Sequence, residues 1–212
     1  MKNEISQVEQ RVKRYWYTDG IGELIGGGVF LILALYFTMQ EYFGEQSVVG
    51  GLLQGFFIVI MIGAIFLGRK LVNFLKTRLT YPRTGYVEYR QSGRNTMWMR
   101  FLAVIVGMTV AMASIFITRS IESIDSMAAI TGVLVAVIFL VKQGWSFGVA
   151  RFNFFSLFSL VLGVILSVSG LPSGYNLGLF YGIMGVTLAL SGGLILKRYL
   201  GDNPMAAEDR NG

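Results

Sequence analysis

Arg69–Arg100 reads RKLVNFLKTRLTYPRTGYVEYRQSGRNTMWMR, a long polar interruption between apolar runs. Eight of the chain's eighteen Lys and Arg residues lie in it, against the single acid Glu88. Before it stands Gly51–Gly68, GLLQGFFIVIMIGAIFLG, and after it Phe101–Thr118, FLAVIVGMTVAMASIFIT. Both runs are of bilayer length, since a hydrocarbon core of about 30 Å takes roughly 20 helical residues to cross. The stretch is therefore a loop between two spans. Its charge marks the side of the bilayer it occupies, because cytoplasmic loops gather Lys and Arg.

Four more spans follow on working outward: about Gly20–Phe37, Ala128–Val141, Phe152–Ser169 and Leu177–Leu196. The N-terminal segment holds four basic residues, the long loop eight, the Lys142–Arg151 link two and the C-terminal tail three. With six spans, all of these fall on one face and only Arg119 on the other, an alternation that one span more or fewer would break. The expected fold is an all-α membrane protein with six transmembrane helices in three in–out–in hairpins. Both termini are then cytoplasmic and the membrane is the cell's inner or plasma membrane. Residues 1–19 read as an interfacial amphipathic segment, 20–200 as the transmembrane domain with its basic loop at 69–100, and 201–212 as a disordered tail.

Composition agrees with this class. Mean hydropathy is +0.60, and only 14% of residues are charged, where soluble chains carry about 25%. The chain has no Cys and no His, which removes disulfides, thiolate chemistry and every His-dependent catalytic arrangement. The net charge of +6 follows from membrane topology and does not call for nucleic acid.

Glycines punctuate the spans. Gly22 with Gly26, Gly51 with Gly55, and Gly178 with Gly182 form GxxxG pairs, which let helix backbones approach closely in lipid. The alternative is a broken first helix in which Glu23 and exposed amides face a ligand. Asp19 reads as the N-cap of the first span, and Glu23 lies where the helix dipole favours an anion. Apart from Glu23, no Asp, Glu, Lys or Arg lies inside a span, which counts against proton coupling at depth. No catalytic residue, metal site or cofactor is expected. Serine proteolysis lacks a His, and Asp19 at the membrane edge has no evident partner for aspartyl chemistry.

Within the basic loop, helical spacing continues through Leu79, and Thr80-Tyr81-Pro82 should end it, because the residue before proline is pushed toward extended geometry. Tyr86–Arg90 and Thr96–Met99 then alternate as a small β-hairpin would. Arg78, Arg83, Arg90 and Arg94, with Tyr81 and Tyr86, are the candidate binding residues, facing lipid phosphates or an acidic protein surface. A topology determinant without a ligand is the plainer alternative.

The segment Tyr81-Pro82-Arg83-Thr84-Gly85-Tyr86-Val87 resembles a Tyr-Pro-Arg-x-Gly-Tyr-Val loop of bacterial multi-pass membrane proteins of uncharacterised function. The resemblance implies a prokaryotic cell-membrane protein and no particular reaction. The expected role is a non-enzymatic accessory, sensory or scaffold component, docking anionic lipid or a cytosolic or membrane protein partner, with oligomerisation left open. The rival is a small permease, or a transporter subunit, with an uncharged path among Gly22, Gly26, Gln54 and Tyr181. A lipid-processing enzyme holding a metal on Asp19 and Glu23 is a third reading.

Overall fold

The computed structural model describes residues 19–44, 46–84, 126–146 and 151–204. Every regular element among them is helical. In chain order these are α1 (Ile21–Phe43), α2 (Val48–Leu75), a π-helical turn (Lys76–Thr80), α3 (Tyr81–Thr84), α4 (Ser126–Ser146), α5 (Arg151–Ser167) and α6 (Ser173–Asp202). Three are long and apolar enough to cross a membrane: α1, α2 with its continuation to Arg83, and α6. α4 and α5 supply two shorter apolar stretches. The expected third span (Phe101–Thr118), the β-hairpin, the interfacial segment up to residue 18 and the tail beyond residue 204 lie outside the described residues.

All the long helices but α5 run longer than the apolar runs that announce them. α1 continues past Phe37 because Thr38 satisfies its hydroxyl on the Ala34 carbonyl at 2.8 Å, and it stops only at Gly44, which takes φ +72°. Ser47 then caps α2, its Oγ accepting from the Gly50 amide at 2.9 Å, as N-cap serines do. The expected stop at Pro82 does not occur. Tyr81, the residue before it, is helical, at φ −63° and ψ −38°. The preceding turn widens instead, and the Tyr81 amide donates to the Lys76 carbonyl, five residues back. A proline cannot donate to the carbonyl four residues back, and its ring crowds that carbonyl. One extra residue per turn relieves this crowding. At the start of α6, Ser173–Asn176 is already helical, which leaves residues 168–172 as the turn after α5.

The chain forms two compact units, Met1–Glu88 with Tyr181–Gly212, and Tyr89–Phe180. In the first, α1 meets the Tyr181–Asp202 part of α6 through glycines seven residues apart on each helix. A Cβ at Gly27 would lie 2.6 Å from both the Ala189 amide nitrogen and the Gly185 carbonyl, and one at Gly20 would lie 2.5 Å from the Gly192 carbonyl. α1 also packs on α2, where Gly68 faces Ile25 and Val29. Farther along, the ring of Tyr36 meets that of Phe57 at 4.8 Å, and Phe37 stacks on Tyr181 at 5.6 Å. Interhelical approach at small residues followed by ring packing suits helices in lipid, where association rests on van der Waals fit.

The second unit repeats the device. A Cβ at Gly132 on α4 would lie 2.8 Å from the Ser159 carbonyl and 3.0 Å from Gly163 Cα on α5. Buried Ser159 donates its hydroxyl to the Gly132 carbonyl at 2.8 Å, and Phe139, Phe152 and Phe155 fill the space beyond. The turn after α5 closes on buried Asn176, which donates to the Leu171 carbonyl and accepts from the Ser169 hydroxyl.

Candidate functional site

The first unit carries a polar knot at one end. Asp19, just ahead of α1, and Lys76, first residue of the π-turn, form an ion pair at 3.1 Å. Their side chains are only 2% and 4% exposed. Asp19 also accepts from the Ile21 amide at 3.2 Å and, more weakly, from the Thr80 hydroxyl at 3.4 Å. Two charges taken out of water need each other and further hydrogen bonds to persist, and Asp19 has both. The π-turn explains how α2 can reach. Lys76 and Thr80 stand four residues apart on one face of the widened turn, and both address Asp19. Single-turn π insertions of this kind are frequent at functional sites.

Beside the pair, Arg83 ties the end of α3 to the end of α6. Its Nη1 donates to the carbonyls of Leu200 at 2.8 Å and Asn203 at 2.9 Å. The first lies in the last turn of α6 and the second just past its end, where acceptors lack intrahelical partners and a cation meets the negative end of the dipole. The start of α1, the end of α2 and the end of α6 therefore meet at a common point.

Around the knot the remaining cations among this unit's described residues are exposed: Arg69, Lys70 and Arg78 on α2 and its π-turn, Lys197 and Arg198 on α6. Lys70 lies over the Phe66 ring and Arg78 over the Phe74 ring, at 4.8 and 5.2 Å from the centroids. At the opposite end of this unit the described residues include Glu41 and neither Lys nor Arg.

The expected site residues thus divide. Arg78 is exposed, as a binding role needs, and Tyr81 is half-buried. Arg83 is engaged within the fold. Arg90, Arg94 and Tyr86 lie outside the described residues. Of the GxxxG positions, Gly22, Gly26, Gly51 and Gly55 have no described atom within 4 Å of where a Cβ would sit, and Gly182 meets only the Ala34 methyl at 3.7 Å. Gly178 is buried in the other unit. The close approach between α1 and α6 belongs instead to Gly20, Gly27, Gly185 and Gly192, a seven-residue spacing legible in the sequence once both helices are aligned. Glu23 is buried in the first turn of α1. Asp19 is not the N-cap, which is Gly20 at φ +72°; it pairs with Lys76.

The residues of the permease reading do not come together in this unit. Gln54 and Gly22 are exposed, and Tyr181 is packed between the rings of Phe30 and Phe37, so the described residues do not gather into an uncharged path. Among the described residues, no group of three or more acids is placed to hold a metal ion. No protein-family model matches this chain, and no curated protein or solved structure matches it either.

Proposed function

We propose that this chain is a multi-pass protein of the cell membrane that does no chemistry of its own and docks anionic lipid with its basic end. In this reading six spans form three in–out–in hairpins, both termini are cytoplasmic, and the knot of Asp19, Lys76, Thr80 and Arg83 holds three helix ends at the inner surface. One observation carries it: five exposed cations surround that knot, while the described residues at the other end of the unit offer Glu41 and no base. Such an asymmetry orients membrane proteins and draws anionic headgroups. From Val48 to Gly68, α2 measures about 30 Å at roughly 1.5 Å per residue, so Arg69 falls where the hydrocarbon ends.

The test uses spin-labelled lipids with the full chain in proteoliposomes. Wild type should associate with phosphatidylglycerol in preference to phosphatidylcholine. Changing Arg69, Lys70, Arg78, Lys197 and Arg198 together to Gln should abolish the preference. Equal association of the two lipids with wild type would overturn the reading. So would exposure of a cysteine introduced at Ser47 and one at Arg198 to the same side of the membrane, a clean labelling experiment in a chain with no Cys of its own.

A further inference from the structure

Not all of the five cations are alike. Phe66, Lys70, Phe74 and Arg78 follow one another at steps of four along α2 and into its π-turn, and residues four apart share a helix face. All four are exposed, the two rings by 58% and 53%. The result is a ridge on which aromatic and cationic side chains alternate. Arg83 is engaged with carbonyls and Lys76 with Asp19, so within this stretch the ridge holds cations that face outward.

The direction of those cations decides between occupants. Helical side chains lean toward their helix N-terminus. α2 begins at its Ser47 cap, so Lys70 and Arg78 lean back along the apolar Val48–Gly68 stretch. Each charge rests over a ring one turn nearer the hydrocarbon. A cytosolic protein would be met by charges pointing outward from the bilayer. An anion anchored in the bilayer meets these.

We propose that the Phe66–Lys70–Phe74–Arg78 ridge is a binding site for an anionic phospholipid, its upper acyl chain and glycerol against Phe66, its phosphate against Lys70, and its headgroup reaching past Phe74 toward Arg78. Charge complementarity supplies the headgroup end. The apolar rungs between the cations fit an amphiphile and give a small soluble anion nothing to touch. This deepens the docking reading above and rests on it.

Full-length protein in phosphatidylcholine vesicles containing phosphatidylglycerol tests the site. Measurements are made at about 1 M salt, where the Debye length is roughly 3 Å and diffuse attraction is screened. The double variant K70Q/R78Q should lower the preference for spin-labelled phosphatidylglycerol about fivefold or more, out of the roughly 30-fold that two unscreened cations at about 1 kcal/mol each would give. K197Q/R198Q, which removes the same charge from α6, should lower it much less. F66L/F74L keeps the apolar area but loses the ring faces, and should cost part of the preference. All six positions are exposed, and an unchanged melting temperature checks that the fold is kept. Equal losses from the two charge pairs, or a preference that survives K70Q/R78Q, would overturn the ridge and leave the docking reading standing. No preference in wild type at any salt would instead remove the docking reading, and the ridge with it.

Discussion

Replacing Lys76 by Met isolates the contribution of the buried pair. Met keeps most of the volume and removes the charge. Asp19, 2% exposed, would retain the Ile21 amide and the long Thr80 contact but lose its counter-ion. Breaking a buried pair from one side costs about 3–5 kcal/mol, because it strands the other charge. Asp19→Asn removes the carboxylate that Lys76 pairs with at 3.1 Å, while its side-chain oxygen can still accept from Ile21. The double variant strands neither, and apolar or neutral replacement of a whole pair is often close to neutral. Both single variants should therefore melt roughly 6–20 °C below wild type, taking about 2–4 °C per kcal/mol for a chain of this size, and the double variant should recover most of that loss. Thermal challenge in detergent followed by size exclusion reads the order of the four proteins. With each single variant costing about 3–5 kcal/mol and the double near neutral, the coupling expected is about 5 kcal/mol or more, above the roughly 0.5–3 kcal/mol usual for residues in contact. A coupling within about 0.5 kcal/mol of zero would refute the reasoning, and would mean that the two groups do not depend on each other.

Two further predictions follow from the packing. Gly27→Ala places a methyl 2.6 Å from backbone atoms of α6 and should destabilise by about 1–3 kcal/mol, the usual range for overpacking; Gly22→Ala, with no described neighbour within 4 Å, should be neutral or better in the same melting assay. Arg83→Ala frees the Leu200 and Asn203 carbonyls, so amide exchange and proteolysis should rise at the end of α6 while the rest of α1 and α2 stays protected.

How much of this was legible in the sequence depended on whether a feature is local. Apolar length made α1, α2 and α6 readable, because bilayer thickness imposes it residue by residue. Element ends were less so. Thr38 hides its hydroxyl on its own helix, and the rule against helix before proline fails at Tyr81 because a π-turn makes room for Pro82. Glycine pairs four apart looked like packing signals, yet the contacts seen use pairs seven apart, since only the facing helix decides which small residues it meets. The Asp19–Lys76 pair was out of reach for the same reason. Its partners are remote in sequence, and Lys76 reads as one more base in a basic loop until the fold buries it.

That burial bears on where docking can be felt. Asp19 follows residues 1–18, Arg83 precedes the rest of the basic loop up to Arg100, and Asn203 precedes residues 205–212, so the knot stands at the point where three polar stretches of sequence join the helices. The Phe66–Lys70–Phe74–Arg78 ridge ends inside the π-turn that the knot holds, with Arg78 between Lys76 and Thr80. Pro82 still requires a widened turn, but without the pair that turn is no longer tied to Asp19, and Arg78 can rotate relative to Lys70 and leave the ridge's register. Lys76→Met should then lower the phosphatidylglycerol preference even though Lys76 is buried and touches no lipid, and the D19N/K76M double variant, which spares the fold, should lower it as well. Retention of the full preference in that double variant would show that the ridge keeps its register without the ion pair.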